Sequence, residues 1–190
     1  MAFYANPTTD PKRSFRFLFS IPSSTVDGGL QSYYIKEVKK PTFQMEGGPQ
    51  IKYIQHAFKY PGRVVWQDVT CTVVDPGGAD DAGAALYNML AVSGYSTPTD
   101  APLAGTLEES ISKRKALDAL GQPRLTQIDA EGFPIEEWTM HNAFISQADF
   151  GTVNYDSDDI VNVQLTIMYD YATLAVPGGR VVNPRVRTSG

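Results

Sequence analysis

Between residues 161 and 171 the chain alternates strictly. Val161, Val163, Leu165, Ile167, Tyr169 and Tyr171 fall on one side, and Asn162, Gln164, Thr166, Met168 and Asp170 on the other, Met168 alone being apolar among them. A period of two belongs to an extended strand, whose successive side chains leave on opposite faces, so this segment requires a sheet with one buried and one polar face. Residues 64–74 repeat the device: Val65, Val69, Cys71 and Val73 share one side, with Gln67 as its polar exception, and Trp66, Asp68, Thr70 and Thr72 take the other. Half-solvated faces of this kind are typical of antiparallel sheets.

Further strands are predicted around these two. Ser14–Ile21 places Phe15, Phe17 and Phe19 on one face and stops at Pro22. After a Ser, Asp and Gly loop over residues 22–31, the run 32–38 resumes strand composition, and Pro41 restarts the chain in extended form. Thr42–Glu46 and Ile51–Tyr60 flank Gly47-Gly48-Pro49, which reads as the loop of a hairpin that projects from the body. Leu125–Ile128 and Ile135–Ile145 flank Asp129-Ala130-Glu131-Gly132, a second hairpin with Trp138, Met140 and Phe144 on one face.

Two helices interrupt this pattern. Ala82, Ala85, Leu86, Met89 and Leu90 keep helical spacing behind the acidic Asp80 and Asp81, with Gly94 as the stop. Thr106 and Glu109 form a capping box ahead of Ile111, Leu117 and Leu120, and Gly121 with Pro123 closes that segment. The fold class that follows is mainly β, a sandwich or partial barrel of two antiparallel sheets, with one flanking α-helix and a second short one. Residues 1–13 read as an N-terminal arm, 14–174 as the domain and 175–190 as a C-terminal arm.

Composition narrows function mainly by exclusion. The 190 residues are 42% hydrophobic, enough for a packed core, and the balance of 16 Lys plus Arg against 21 Asp plus Glu, a net −5, has the wrong sign for gripping phosphate backbones by bulk charge. No apolar run approaches the length that spans a bilayer, and the first dozen residues lack the apolar stretch of a signal peptide, so no membrane partner is expected. Cys71 stands alone, and with only His56 and His141 beside it no zinc ligand set is expected. Asp75-Pro76-Gly77-Gly78 lacks the Lys-Ser/Thr of a phosphate loop. Asp156-Ser157-Asp158-Asp159 lacks the Gly and the distal Glu of a calcium loop. Ser110-Ile111-Ser112-Lys113 has none of the companions of an acyl-enzyme. Glu136 and Glu137 point to opposite faces of a strand and cannot form a facing acid/base pair. The expectation is a non-enzyme without cofactor or metal. A monomeric ligand-binding sandwich, with Tyr33, Tyr34 and Trp66 as stacking residues, is the alternative from another class.

Two segments carry a family resemblance. Phe58-Lys59-Tyr60-Pro61-Gly62-Arg63, followed by Trp66-Gln67-Asp68-Val69-Thr70-Cys71-Thr72-Val73-Val74-Asp75, resembles the tail tube proteins of contractile-tailed bacteriophages, in which a Gly turn leads into a Trp-bearing alternating strand. Trp138-Thr139-Met140-His141-Asn142-Ala143-Phe144, Tyr155-Asp156-Ser157-Asp158-Asp159 and Val163 through Tyr171 are similar to the C-terminal half of that family. Its motif positions here are Gly62, Trp66, Val69, Trp138, Asp156 and Tyr169. The resemblance covers residues 14–174, leaving the insertion around 94–120 and the C-terminal arm outside it.

What the resemblance implies is a structural protein of the virion, present in the host cytoplasm during assembly. Hexameric rings would join their inner strands into one barrel and stack into the tube that conducts DNA, held loosely, inside a contractile sheath, with baseplate initiator and terminator proteins at the ends. The same fold serves type VI secretion and extracellular injection particles, which move proteins. Within this reading the loop Gln44, Met45, Glu46, Gly47, Gly48, Pro49 and Gln50 is the candidate subunit contact.

Overall fold

The computed structural model describes residues 11–22, 34–78, 81–97, 110–156 and 158–176, together with the backbone of 180–182. Along the chain the elements are β1 (Phe17–Ser20), β2 (Ile35–Val38), β3 (Thr42–Tyr53), β4 (His56–Gln67), β5 (Val69–Val74), α1 (Ala82–Val92), α2 (Lys113–Leu120), β6 (Arg124–Ile128), β7 (Pro134–His141), β8 (Phe144–Asp149), β9 (Asn162–Met168), β10 (Tyr171–Val176) and β11 (Arg180–Val182). The mainly β architecture is as expected. Two antiparallel sheets form the body, ordered β1-β6-β7-β10-β11 and β2-β5-β9-β8, while β3 and β4 pair only with each other.

Alternation explains the central strands. Val69, Cys71 and Val73 on β5 and Val163, Leu165 and Ile167 on β9 are fully buried, and the two strands lie side by side with Cys71 opposite Leu165. Phe19 and Met140 meet them from the other sheet. Burial pushes the Cys71 thiol up to about 12, which makes it a packing residue rather than a nucleophile.

The three longest strand runs do not remain single strands. The run 64–74 breaks at Asp68, which separates β4 from β5, so Val65 is exposed while Trp66 packs against the core. The runs 135–145 and 161–171 break at neighbouring corners. Asn142 takes a left-handed φ of 54° between β7 and β8, and Asp170 separates β9 from β10. The chain thereby changes sheets twice: β7 pairs with β10 in one sheet and β8 with β9 in the other. Such bends let one long ladder supply both layers of a sandwich. Asp170 locks the corner: its backbone N–H donates to the His141 carbonyl at 3.0 Å and its carboxylate accepts from Lys113 and Asn142. Those hydrogen bonds hold the Asp170 carboxyl below the usual carboxylate range.

The helices fill one side. Asp81 caps α1 by accepting from the Ala84 N–H at 2.9 Å, and Leu86 and Met89 reach the core. Gly94, at φ 104°, follows the C-cap Ser93 as the stop expected there. The second helix begins later than the capping box suggested, at Lys113, with Ser112 accepting from the Lys115 N–H; Thr106 and Glu109 lie outside the described residues. Asp80 also lies outside them. In the stretch read as an irregular C-terminal arm, Arg180–Val182 pairs back onto β10.

Candidate assembly surface

The hairpin β3–β4 is the feature that the rest of the fold does not explain. Each strand has 12 residues, about 40 Å at the usual rise of a strand. Phe43 lies opposite Trp66, Met45 opposite Val64 and Ile51 opposite Phe58. Phe43, Met45, Ile51, Tyr53, Phe58, Tyr60 and Val64 are all exposed. A two-stranded ribbon is marginal in water by itself, and this one carries exposed apolar residues on both of its strands.

The turn expected at Gly47-Gly48-Pro49 lies elsewhere. Those residues are inside β3, and the chain reverses at Ile54 and Gln55, between the paired Tyr53 and His56. The physical reason is a double irregularity: the register shifts between Met45 and Gly47 and again between Gly47 and Gln50. Bulges of this kind give Gly and Pro a place inside a strand. Gly48 and Gly62 are required there, because a Cβ on Gly48 would sit 2.5 Å from the Tyr60 carbonyl oxygen and one on Gly62 would sit 2.6 Å from that of Glu46. Gly62→Ala is therefore expected to destabilise the middle of the arm by about 1–2 kcal/mol of overpacking. Amide hydrogen exchange would speed up in β3 and β4 while the melting temperature of the body stays constant. Unchanged exchange in the arm would show that the close approach is not structural.

At the tip, Ile54 has φ 51° and is 86% exposed. A left-handed first loop residue suits a type II′ turn, but glycine normally fills that place, and a β-branched residue there is strained. An exposed apolar side chain held in a costly conformation is the kind of outlier that function retains.

The root of the arm is anchored. Trp66 packs edge-on against Phe43 at 5.6 Å between ring centres and against Tyr169 at 6.0 Å, and the Tyr169 hydroxyl donates to the Gln67 carbonyl at 2.9 Å. Burial pushes the Tyr169 phenol up to about 12. The structure thus brings together Trp66, Val69 and Tyr169 around this root and sets Gly62 farther along the same arm. Trp138 stands apart on β7, and Asp156 lies exposed on the connection after β8, where its N–H closes a turn with Asn154.

Sequence reasoning missed the polar anchor beside the root. Glu136 is 7% exposed and accepts from Lys12, from Lys40 at 2.8 Å and from the Trp138 indole N–H at 2.5 Å. Gln127 completes the group, accepting from Lys40 and donating to the Arg13 carbonyl. Burial by itself would raise the Glu136 carboxyl, but the hydrogen bonds from Lys12, Lys40 and Trp138 more than offset it and hold it at about 2. No local signal announces this group, since its lysines lie 124 and 96 residues away.

Of the residues considered for chemistry, His141, Ser112 and Lys113 have structural duties. His141 stacks on Tyr171 at 4.5 Å, with Gln122 and Thr173 each 2.9 Å from a ring nitrogen. The Nε2–H tautomer satisfies both partners. Ser112 caps a helix, and Lys113 is bound to Asp170. His56 is exposed beside the hairpin turn. Tyr34 packs against the core, while Tyr33 lies outside the described residues. Among the described residues no group of three or more His, Cys, Asp or Glu is placed to hold a metal ion, and no helix is long and apolar enough to cross a membrane.

No family model matches the sequence, and no curated protein matches it. Solved structures do match in fold. A chain of the anti-feeding prophage cap, described as the tube-terminating cap, superposes with a TM-score of 0.61 at 16% identity, over 93% of this chain and 99% of that one. The sheath/tube terminator of the extracellular contractile injection system PVC in its extended state gives 0.59 at 13% identity, covering 89% and 99%. The PVC sheath–tube complex gives 0.56 at 14% identity, covering 93% and 99%. The chain has the fold found in these tube and terminator assemblies of contractile injection systems, the fold that the tail tube resemblance implied.

Proposed function

We propose that this chain is a tube subunit of a contractile particle, a structural and non-enzymatic protein whose hexameric rings stack into a hollow tube. The observation that carries this reading is the β3–β4 arm, with a two-stranded ladder and apolar residues exposed along both strands. A neighbouring copy that covers the arm removes both the edge-strand liability and the apolar exposure. The contact residues on this reading include Gln44, Met45, Glu46, Gly47, Gly48, Pro49 and Gln50, now as part of a strand rather than a loop, together with the tip at Ile54. A sheath around the tube and initiator and terminator proteins at its ends are the further partners.

Two cargoes fit. In a phage tail the bore conducts DNA, and a chain of net −5 suits a wall that does not grip phosphates. A protein-moving particle outside the cell is the second reading, supported by the extracellular injection systems among the structural neighbours. Negative-stain electron microscopy of the purified protein, with light scattering, tests the assembly: uniform rings or tubes with an open bore are expected, and a monomer at every concentration would overturn the reading. Nuclease-protected DNA in particles purified from the producing cell separates the cargoes.

A further inference from the structure

The β3–β4 arm is a lever held at one end. Its strands pair with no others among the described residues, so its direction is set at the root. Over a length of about 40 Å, a swing of about 10° there carries the tip through about 7 Å. A few contacts at the root therefore decide where the tip lies.

Two polar contacts hold that root, one from each sheet. Thr42 and Gln67 are the first pair of the arm's ladder. The hydroxyl of Tyr169, which follows β9, donates to the Gln67 carbonyl at 2.9 Å and accepts from the Thr42 N–H. One buried side chain thus ties both strands of the arm to the end of the four-stranded sheet. The second contact is Lys40, which leads through Pro41 into β3. Its ammonium donates to Gln127 at 2.5 Å and to Glu136 at 2.8 Å. These two acceptors lie opposite one another on β6 and β7 of the five-stranded sheet, and each is 7% exposed.

Each acceptor also has a partner in the N-terminal segment. The Gln127 amide nitrogen donates to the Arg13 carbonyl at 3.1 Å, and the other Glu136 oxygen accepts from Lys12. These bonds set which way the amide and the carboxylate turn. With its nitrogen committed to Arg13, Gln127 presents oxygen to Lys40. With Lys12 on one oxygen, Glu136 keeps the other for Lys40 and Trp138.

We propose that Tyr169 and the Gln127–Glu136 pair are positioning residues that fix the angle at which the arm leaves the body, and that residues 12–13 are a strap that keeps the second contact closed. Release of the strap leaves the arm pivoting on Tyr169. This is a property of the single chain and does not rest on the tube reading. In any assembly that uses the arm, a fixed angle lowers the ordering cost of contact.

The test is the distribution of distances between spin labels at Gln55→Cys on the tip and Gln164→Cys on the body, both exposed positions. Pulsed electron resonance reads it in protein diluted with unlabelled copies, so that only distances within one copy count, and the buried Cys71 takes no label. One narrow peak is expected. Tyr169→Phe keeps the ring, while Lys40→Met and Lys12→Met keep the stem; each is expected to widen the peak at least twofold. Lys36→Met, at a lysine bordering the same hollow as Lys40, is the control and is expected to leave the peak unchanged. Circular dichroism melts run beside each variant. A lowered melting temperature with an unchanged peak would make the contacts structural only and overturn the proposal. Equal broadening in Lys36→Met would trace the effect to lost charge and overturn it as well. An unchanged peak in Tyr169→Phe or Lys40→Met removes that residue from the hinge, and in Lys12→Met it removes the strap. Lys12 and Lys40 are half exposed, so their variants test the second contact even if Tyr169→Phe does not fold. Tubes have no part in this readout, so failure of the tube reading and failure of the hinge are separate results.

Discussion

Phe58→Asp is expected to leave the monomer folded and to abolish assembly. Phe58 is 56% exposed and faces only Ile51 across the arm, so within one copy the substitution costs at most about 0.5 kcal/mol, as exposed replacements generally do. On the proposed tube reading the same position is covered by a neighbouring copy, and an unpaired carboxylate there would cost about 3 kcal/mol at each contact. That penalty corresponds to about a hundredfold rise in the concentration needed for one contact, and it recurs at every subunit. Sedimentation paired with a melting curve reads both halves of the prediction. Tubes of normal yield from a folded Phe58→Asp protein would remove the arm from the interface.

The second large effect concerns Glu136. Its carboxyl sits near 2 in the folded protein against an ordinary value near 4.5. A depressed folded value means stability that is fully present above about 4.5 and is lost as the pH falls towards 2. The gap corresponds to about 3 kcal/mol. Glu136→Gln removes the charge but retains the shape. Its expected cost is about 2–3 kcal/mol, at the low end for a broken buried pair because Lys12 and Lys40 remain half exposed and can turn to water. Melting temperature followed from pH 7 to pH 2 should fall for the wild type below about pH 4.5, beyond the fall shared with the variant. Parallel curves for the two proteins would show that the cluster contributes no net stability.

These two residues also show how unevenly the sequence discloses its structure. Phe58 lies in a segment whose strand character and family resemblance were readable, because period-two alternation and glycine spacing are local properties. Glu136 was readable only as a strand residue excluded from acid/base pairing. Its partners come from the N-terminal segment and from the turn before β3, and a contact between residues 124 positions apart leaves no periodic trace. The same distinction explains the misplaced hairpin tip. Gly47-Gly48-Pro49 carries the usual composition of a turn, yet a bulged strand needs the same residues for close backbone approach and a missing N–H.

What the amino-acid sequence determined by itself was therefore everything that depends on local periodicity: the buried faces of β5 and β9, the first helix with its Asp81 cap and Gly94 stop, the mainly β class, and the resemblance carried by Gly62, Trp66, Trp138 and Tyr169. What only the tertiary structure decided were the sheet changes at Asn142 and Asp170, the reversal at Ile54, and the burial of Glu136 between lysines from distant segments. The reason is physical. A strand's period records that one face is covered, whereas the covering element is chosen by packing between parts of the chain that share no local pattern.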